Sequence, residues 1–267
     1  MARFNTALQY DQSFSVNGYQ LSGVDNVQVN HTTQLENNST LGSDFGFNLM
    51  SPFQAEITMD RSLIYDDPIF NFTGDSSFSG HFLYNGINYM FTSGYLNRYS
   101  IDCSVGDIPR VSCTIGVYGE LKETSVEPII LTHPNIFIPS PRSIFVSGDE
   151  TATNRVKSFT YELTMNRQPI YSIDSYAQVD DVVFIPPINI SASMVLDVYD
   201  FAPEDYKSFL NSATIKIFNI SILNRTENTT ILNLNIPNIQ LVGQNLTSTS
   251  ENSLSITNNY VGYIRWA

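Results

Sequence analysis

Hydrophobic and polar residues alternate with a period of two along much of the chain, the signature of strands with one buried face. In Phe159-Thr160-Tyr161-Glu162-Leu163-Thr164-Met165-Asn166 the odd positions are apolar and the even ones polar. Ile188, Ile190, Ala192, Met194 and Leu196 likewise share one face of their segment. A further strand is predicted through 214–222, where the apolar parity flips near Phe218 and predicts a β-bulge. Asn17-Gly18 and Asn85-Gly86, each flanked by strand-like residues, predict tight hairpin turns and hence antiparallel sheets. One short helix is predicted from Asp200 to Leu210, with Asp200 as cap, Pro203 and Glu204 in the first turn, and Phe201, Tyr206, Phe209 and Leu210 on its apolar face. Two polar stretches, His31 to Phe45 and Ser140 to Asn154, read as long loops.

The fold class is therefore all-β, and an internal match suggests how it is divided. Glu56-Ile57-Thr58-Met59-Asp60-Arg61-Ser62-Leu63-Ile64-Tyr65 aligns with Glu162-Leu163-Thr164-Met165-Asn166-Arg167-Gln168-Pro169-Ile170-Tyr171, identical at six of ten positions. Each copy is followed by a strand rich in Phe or Ile with Ser on its other face. Chance between two strands produces matches this short; the half-chain spacing favours duplication. The expectation is two similar β-sandwich or barrel domains, 1–126 and 127–267. Arg61 and Arg167 end their stripes, with Tyr65 and Tyr171 one loop later. They are expected either to make hydrogen bonds between elements or subunits, or to snorkel at a sandwich rim.

Composition narrows the function classes. At 267 residues the chain can bury its own core, and only 15% of residues are charged. A net charge of −13 argues against a protein that grips phosphate. No apolar run approaches a membrane span, and the first residues lack a signal-peptide core, so a soluble, cytosol-made chain with no membrane partner is expected. Two cysteines make no disulfide framework. Cys103 and Cys113 lie symmetrically about Ile108 on two predicted strands; a hairpin centred there would make them cross-strand neighbours, either reduced and packed or bridged.

Catalytic signatures give no positive signal. Asp66-Asp67 and Asp180-Asp181 are adjacent residues that point to opposite faces of a strand, so neither doublet forms a glycosidase pair by itself. There is no G-x-S-x-G elbow, phosphate-cradling glycine loop or H-E-x-x-H motif, and His31, His81 and His133 are scattered. No catalytic residue, cofactor or metal is expected. Asn-x-Ser/Thr sequences, such as Asn38-Ser39-Thr40 and Asn71-Phe72-Thr73, reflect a composition rich in these residues.

Tyr95 to Pro109 with the Val111 to Gly119 strand resembles a hairpin of the major tail-tube proteins of long-tailed bacteriophages. Arg155 to Tyr171, followed by Pro186-Pro187-Ile188-Asn189-Ile190-Ser191, resembles strands of the same family with their connecting loop. The resemblance implies a virion structural protein assembled in the host cytoplasm, whose β-sandwiches close into stacked rings around a DNA channel. Rings in the family have six subunits, or three where the domain is duplicated; a trimeric, pseudo-sixfold ring is the expectation here. Partners would be further copies of the chain and other tail proteins such as terminator, tape measure and baseplate, with DNA as passing cargo. Acidic lumen groups would repel phosphate, though an acidic surface also serves solubility. The two long polar stretches would be candidate stacking elements. Other readings are a terminator, distal-tail or baseplate ring, a monomeric glycan-binding sandwich, or a sugar-active enzyme.

Overall fold

A computed structural model describes residues 13–32, 35–38, 46–49, 54–64, 66–84, 86–119, 121–125, 144–148, 156–172, 179–197, 216–224, 226, 228–248 and 254–264. Sixteen strands form: β1 (Ser13–Val16), β2 (Tyr19–Leu21), β3 (Val24–Thr32), β4 (Leu35–Asn38), β5 (Gly46–Leu49), β6 (Gln54–Ser62), β7 (Phe78–Tyr84), β8 (Ile87–Ser104), β9 (Arg110–Val117), β10 (Lys122–Thr124), β11 (Ile144–Gly148), β12 (Val156–Ile170), β13 (Asp181–Asp197), β14 (Lys216–Asn224), β15 (Thr229–Ser248) and β16 (Leu254–Ile264). A 3-10 helix, Pro68–Phe72, lies between β6 and β7, capped by Asp67. The predicted helix from Asp200 to Leu210 lies outside the described residues.

Fourteen strands belong to one antiparallel sheet, and β4 pairs with β5 separately. Its central run is β3-β6-β9-β8-β12-β13-β16-β15, read from successive pairings. Two long strands leave this run at one end. The first half of β8 pairs with β7 and β10, and its second half with β9 and β12. The first half of β15 pairs with β14, and its second half with β16. Strands that change partners part-way along, through bulges, turn the corner of a packed sandwich.

The alternation read from the sequence decides which face is buried. Phe159, Tyr161, Leu163 and Met165 of β12 and Ile188, Ile190, Ala192, Met194 and Leu196 of β13 are buried, as their spacing predicts. They join Ile57, Met59, Leu96, Ile101, Val111 and Ile115 in one core. At the corner of β8 the Phe91 ring occupies space that two glycines leave open: a Cβ on Gly80 would lie 2.2 Å from Phe91 Cζ, and one on Gly94 2.4 Å from Cε2. Asn17 and Gly18 both take positive φ, 47° and 82°, giving the predicted tight turn between β1 and β2. The β14–β15 register slips between Lys216 and Phe218, where the parity flip predicts it.

Three expectations need correction. The His31 to Phe45 stretch is not loop throughout: His31 and Thr32 finish β3, and Leu35–Asn38 forms β4. Within Ser140 to Asn154, Ile144–Gly148 forms β11 and pairs with β14. Ladder hydrogen bonds use backbone groups, so a polar composition does not prevent pairing. The β8–β9 hairpin centres on Gly106, at φ 90°, rather than Ile108. Cys113 therefore stands opposite Tyr99, while Cys103 is opposite Phe159 of β12. The thiols are separated by about 13 Å along the strands and are both free and buried.

Candidate functional site

Arg61, at the end of β6, lies inside the core, with Nη2 2.6 Å from Asp67 Oδ2 and both side chains almost without exposure. Tyr99 donates to the same Asp67 oxygen at 2.6 Å, and Asp67 accepts the Ile69 N–H at 2.9 Å. The Arg61–Asp67 contact is an ion pair by distance but off the N–H direction, and Arg61 Nε has no partner. Burial alone pulls the guanidinium pKa down; the Asp67 charge outweighs this and raises it above its ordinary value. Burial, then the Asp67 charge, pushes the Tyr99 hydroxyl well above the usual phenol range and keeps it a donor. Tyr65 lies outside the described residues.

Arg167 joins β12 to other elements. Its Nη2 donates to the Gly74 carbonyl and its Nε to the Leu96 carbonyl at 3.3 Å, and its guanidinium sits 5.0 Å from the Tyr95 ring centre. Burial lowers its pKa below the ordinary guanidinium value, opposed by Asp75. Tyr171 is 42% exposed and accepts a hydrogen bond from Gln54 Nε2. Arg61 and Arg167 thus bridge elements within the chain rather than snorkelling at a rim, and the structure does not bring them together.

They are not counterparts either, because the strand order repeats on a different alignment. The order β1-β7-β8-β9-β6-β3 recurs as β11-β14-β15-β16-β13-β12, strand for strand in chain sequence. Three register irregularities recur with it. An extra residue on the first strand of a pair breaks β3–β6 between Val24 and Asn26, and β12–β13 between Val156 and Ser158. The β7–β8 register slips between Phe78 and Gly80, and β14–β15 between Lys216 and Phe218. In β8–β9 the extra residue follows Leu96, and in β15–β16 it follows Leu241. On this alignment β6 corresponds to β13, so Met59 matches Met194 and Arg61 matches Leu196. The sequence match that paired β6 with β12 follows shared strand chemistry, not this correspondence.

The two six-strand sets meet in the middle of the sheet. β8 pairs with β12 from Arg98↔Thr164 to Ser104↔Ser158. Arg98 clamps Glu162 across this junction with Nε–Oε1 and Nη2–Oε2 at 2.9 and 3.0 Å, which lowers the Glu162 pKa below the usual carboxylate range. The strands corresponding to β8 and β12 are β15 and β3, and they lie at opposite ends of the central run. Among the described residues, β3 pairs only with β6, and the second half of β15 only with β16.

The outer face of the central run is hollowed and largely polar, with Val261 and Tyr263 of β16 exposed on it beside Ser191 and Asn189. A concavity of about 480 Å³ there is lined by Asp60, Arg98, Asp102, Arg110, Glu162 and Ser191, among others. Ser and Thr carry much of this face between the charges, as in Asp60↔Ser112, Ser100↔Ser112 and Glu162↔Ser191. No group of His, Cys, Asp and Glu among the described residues is arranged to hold a metal ion. No described helix is long and apolar enough to cross a membrane. No protein-family model matches the chain, and no curated protein matches it.

Sequence reading singled out Arg61 and Arg167 and did not locate the two edges that have no further strand partner among the described residues. Their signal is what they lack: Asn26 to Thr32 and Ile239 to Ser248 contain no Lys, Arg, Asp, Glu or Pro. Monomeric proteins guard open edges with such residues or keep them short. β10, three residues long with Lys122 and Glu123, is guarded in that way.

Proposed function

We propose that the chain is a structural subunit that closes into rings and stacks into a tube, of the bacteriophage tail-tube type, serving as a passage for DNA. The observation that carries this reading is the β8–β12 junction between two sets of strands of the same order, with the corresponding edges, β3 and the second half of β15, at the two ends of the central run and without a further strand partner among the described residues. A surface that matches not itself but the opposite end of the same molecule gives head-to-tail contacts, which form rings when the rotation closes. Two sets in one chain make a three-chain ring pseudo-sixfold.

The sheet supports the same reading. Three chains would supply eight central strands each, twenty-four in all. At about 4.8 Å per strand their circumference encloses a channel roughly 40 Å across between backbones. The concave polar face would line it, and Glu56, Asp60, Asp102 and Glu162, against Arg98 and Arg110, would keep it from holding phosphate. The segments resembling tail-tube proteins fall on β8, β9, β12 and β13, within this central run. A virion location and contacts with terminator, tape-measure and baseplate proteins follow from the same proposal. The stretches His31 to Phe45 and Ser140 to Asn154, which carry β4 and β11, are its candidate stacking elements.

Negative-stain electron microscopy across a concentration series tests it. Stacked rings or open tubes are expected. Rings that never stack would replace the tube with a terminator or baseplate role, and compact monomers at every concentration would remove the ring reading in favour of glycan binding.

A further inference from the structure

We infer that the ring contact is a specific strand pairing between copies of this chain, the second half of β15 in one against β3 in the next, in a register fixed by the internal junction. This rests on the ring reading proposed above and names the residues that would carry it.

The register follows by carrying the β8–β12 ladder onto the corresponding strands. Val24 and Val156 occupy the same place beside the bulge in β3 and β12, and Leu96 and Leu241 the same place in β8 and β15. Tyr161↔Ile101 at the internal junction then becomes Val29↔Leu246 between chains, and Glu162↔Ser100 becomes Asn30↔Asn245. Thr160↔Asp102 becomes Gln28↔Thr247. Residues of the core-side face meet one another, and so do residues of the polar face, so the alternation continues across the contact.

Exposure agrees with this placement. Leu246 is 53% exposed, whereas Ile101, its counterpart beneath the internal junction, is 1% exposed. Val29 is half-buried where Tyr161 is buried. A second copy seated on this edge would cover Leu246 as β12 covers Ile101, and would pair two runs of backbone that lack the charges and prolines that discourage pairing. The occupant is a second copy, since the chain already contains this contact once.

Mixing a Val29→Cys chain with a Leu246→Cys chain under mild oxidation tests the pairing. A disulfide-linked two-chain species is expected only from the mixture and only in assembled material. β3 and β15 are seven strand spacings apart in one chain, about 34 Å, so neither a single variant nor an intrachain bond produces it. Replacing Val29→Cys by Val27→Cys shifts the site two residues and should lose most of the product. As a second readout without substitutions, amides 27–32 and 243–248 should exchange at least about tenfold more slowly in assembled protein than in dissociated chains. Rings seen by microscopy with no cross-link and no added protection would overturn the pairing and leave the ring reading standing. Absence of rings as well would overturn both.

Discussion

Arg61 shows how one side chain settles a local structure. The guanidinium holds Asp67, which in turn caps the 3-10 helix and takes the Tyr99 hydrogen bond. Arg61→Leu should lower stability by about 3–5 kcal/mol, read from the urea midpoint, because it leaves a buried carboxylate unpaired. Adding Asp67→Asn should recover much of the loss, since the corresponding position beside β16 already holds Leu196 in a packed core. A double variant as unstable as the single one would contradict this account. The cysteines make a second prediction. Burial raises the Cys103 thiol to about 11, and Cys113 is raised further by burial and the Asp67 charge. Alkylation at pH 8 should label neither in the folded chain and both in urea, as counted by intact mass.

At the scale of elements, the corners and the central junction can be tested separately. Gly94→Ala forces a methyl into the Phe91 ring at the bend of β8, which should cost about 1–3 kcal/mol in a denaturant titration. The corresponding positions in β15 are Ile239 for Gly94 and the smaller Ile236 for Phe91, so the two corners are filled by different residues. Across the junction, Arg98 depresses the Glu162 pKa, so its stabilising effect is complete above the unfolded value of about 4.3 and fades as pH falls through the folded value. Both side chains are roughly half exposed, which limits the effect to less than about 1 kcal/mol. The melting temperature of Glu162→Gln should lie slightly below the original at pH 7, and the two should converge at pH 3.

For the whole molecule, the decisive quantity is ring mass. Three chains of 30.0 kDa give a ring of 90 kDa, measurable by native mass spectrometry. A ring of six chains would break the pseudo-sixfold argument, since the two strand sets of each chain would then not stand at equivalent places.

Much of this was legible in the chain itself. The period-two alternation fixed which residues of β12 and β13 face the core, because a strand sends successive side chains to opposite faces whatever surrounds it. Asn17-Gly18 set its turn because few residues adopt positive φ readily. The internal repetition was legible only falsely: the strongest sequence match joined β6 to β12, whereas matched bulges join β6 to β13. At the structurally matched positions few residues agree, among them Met59 with Met194 and Leu96 with Leu241. Backbone ladders tolerate any residues of the right polarity, so strand order and bulge position outlast identity. The partners of Arg61, the register that separates Cys103 from Cys113, and the strands that end the central run depend on which strands lie side by side. Pairing of that kind links residues far apart in the chain, and only the tertiary structure decides it.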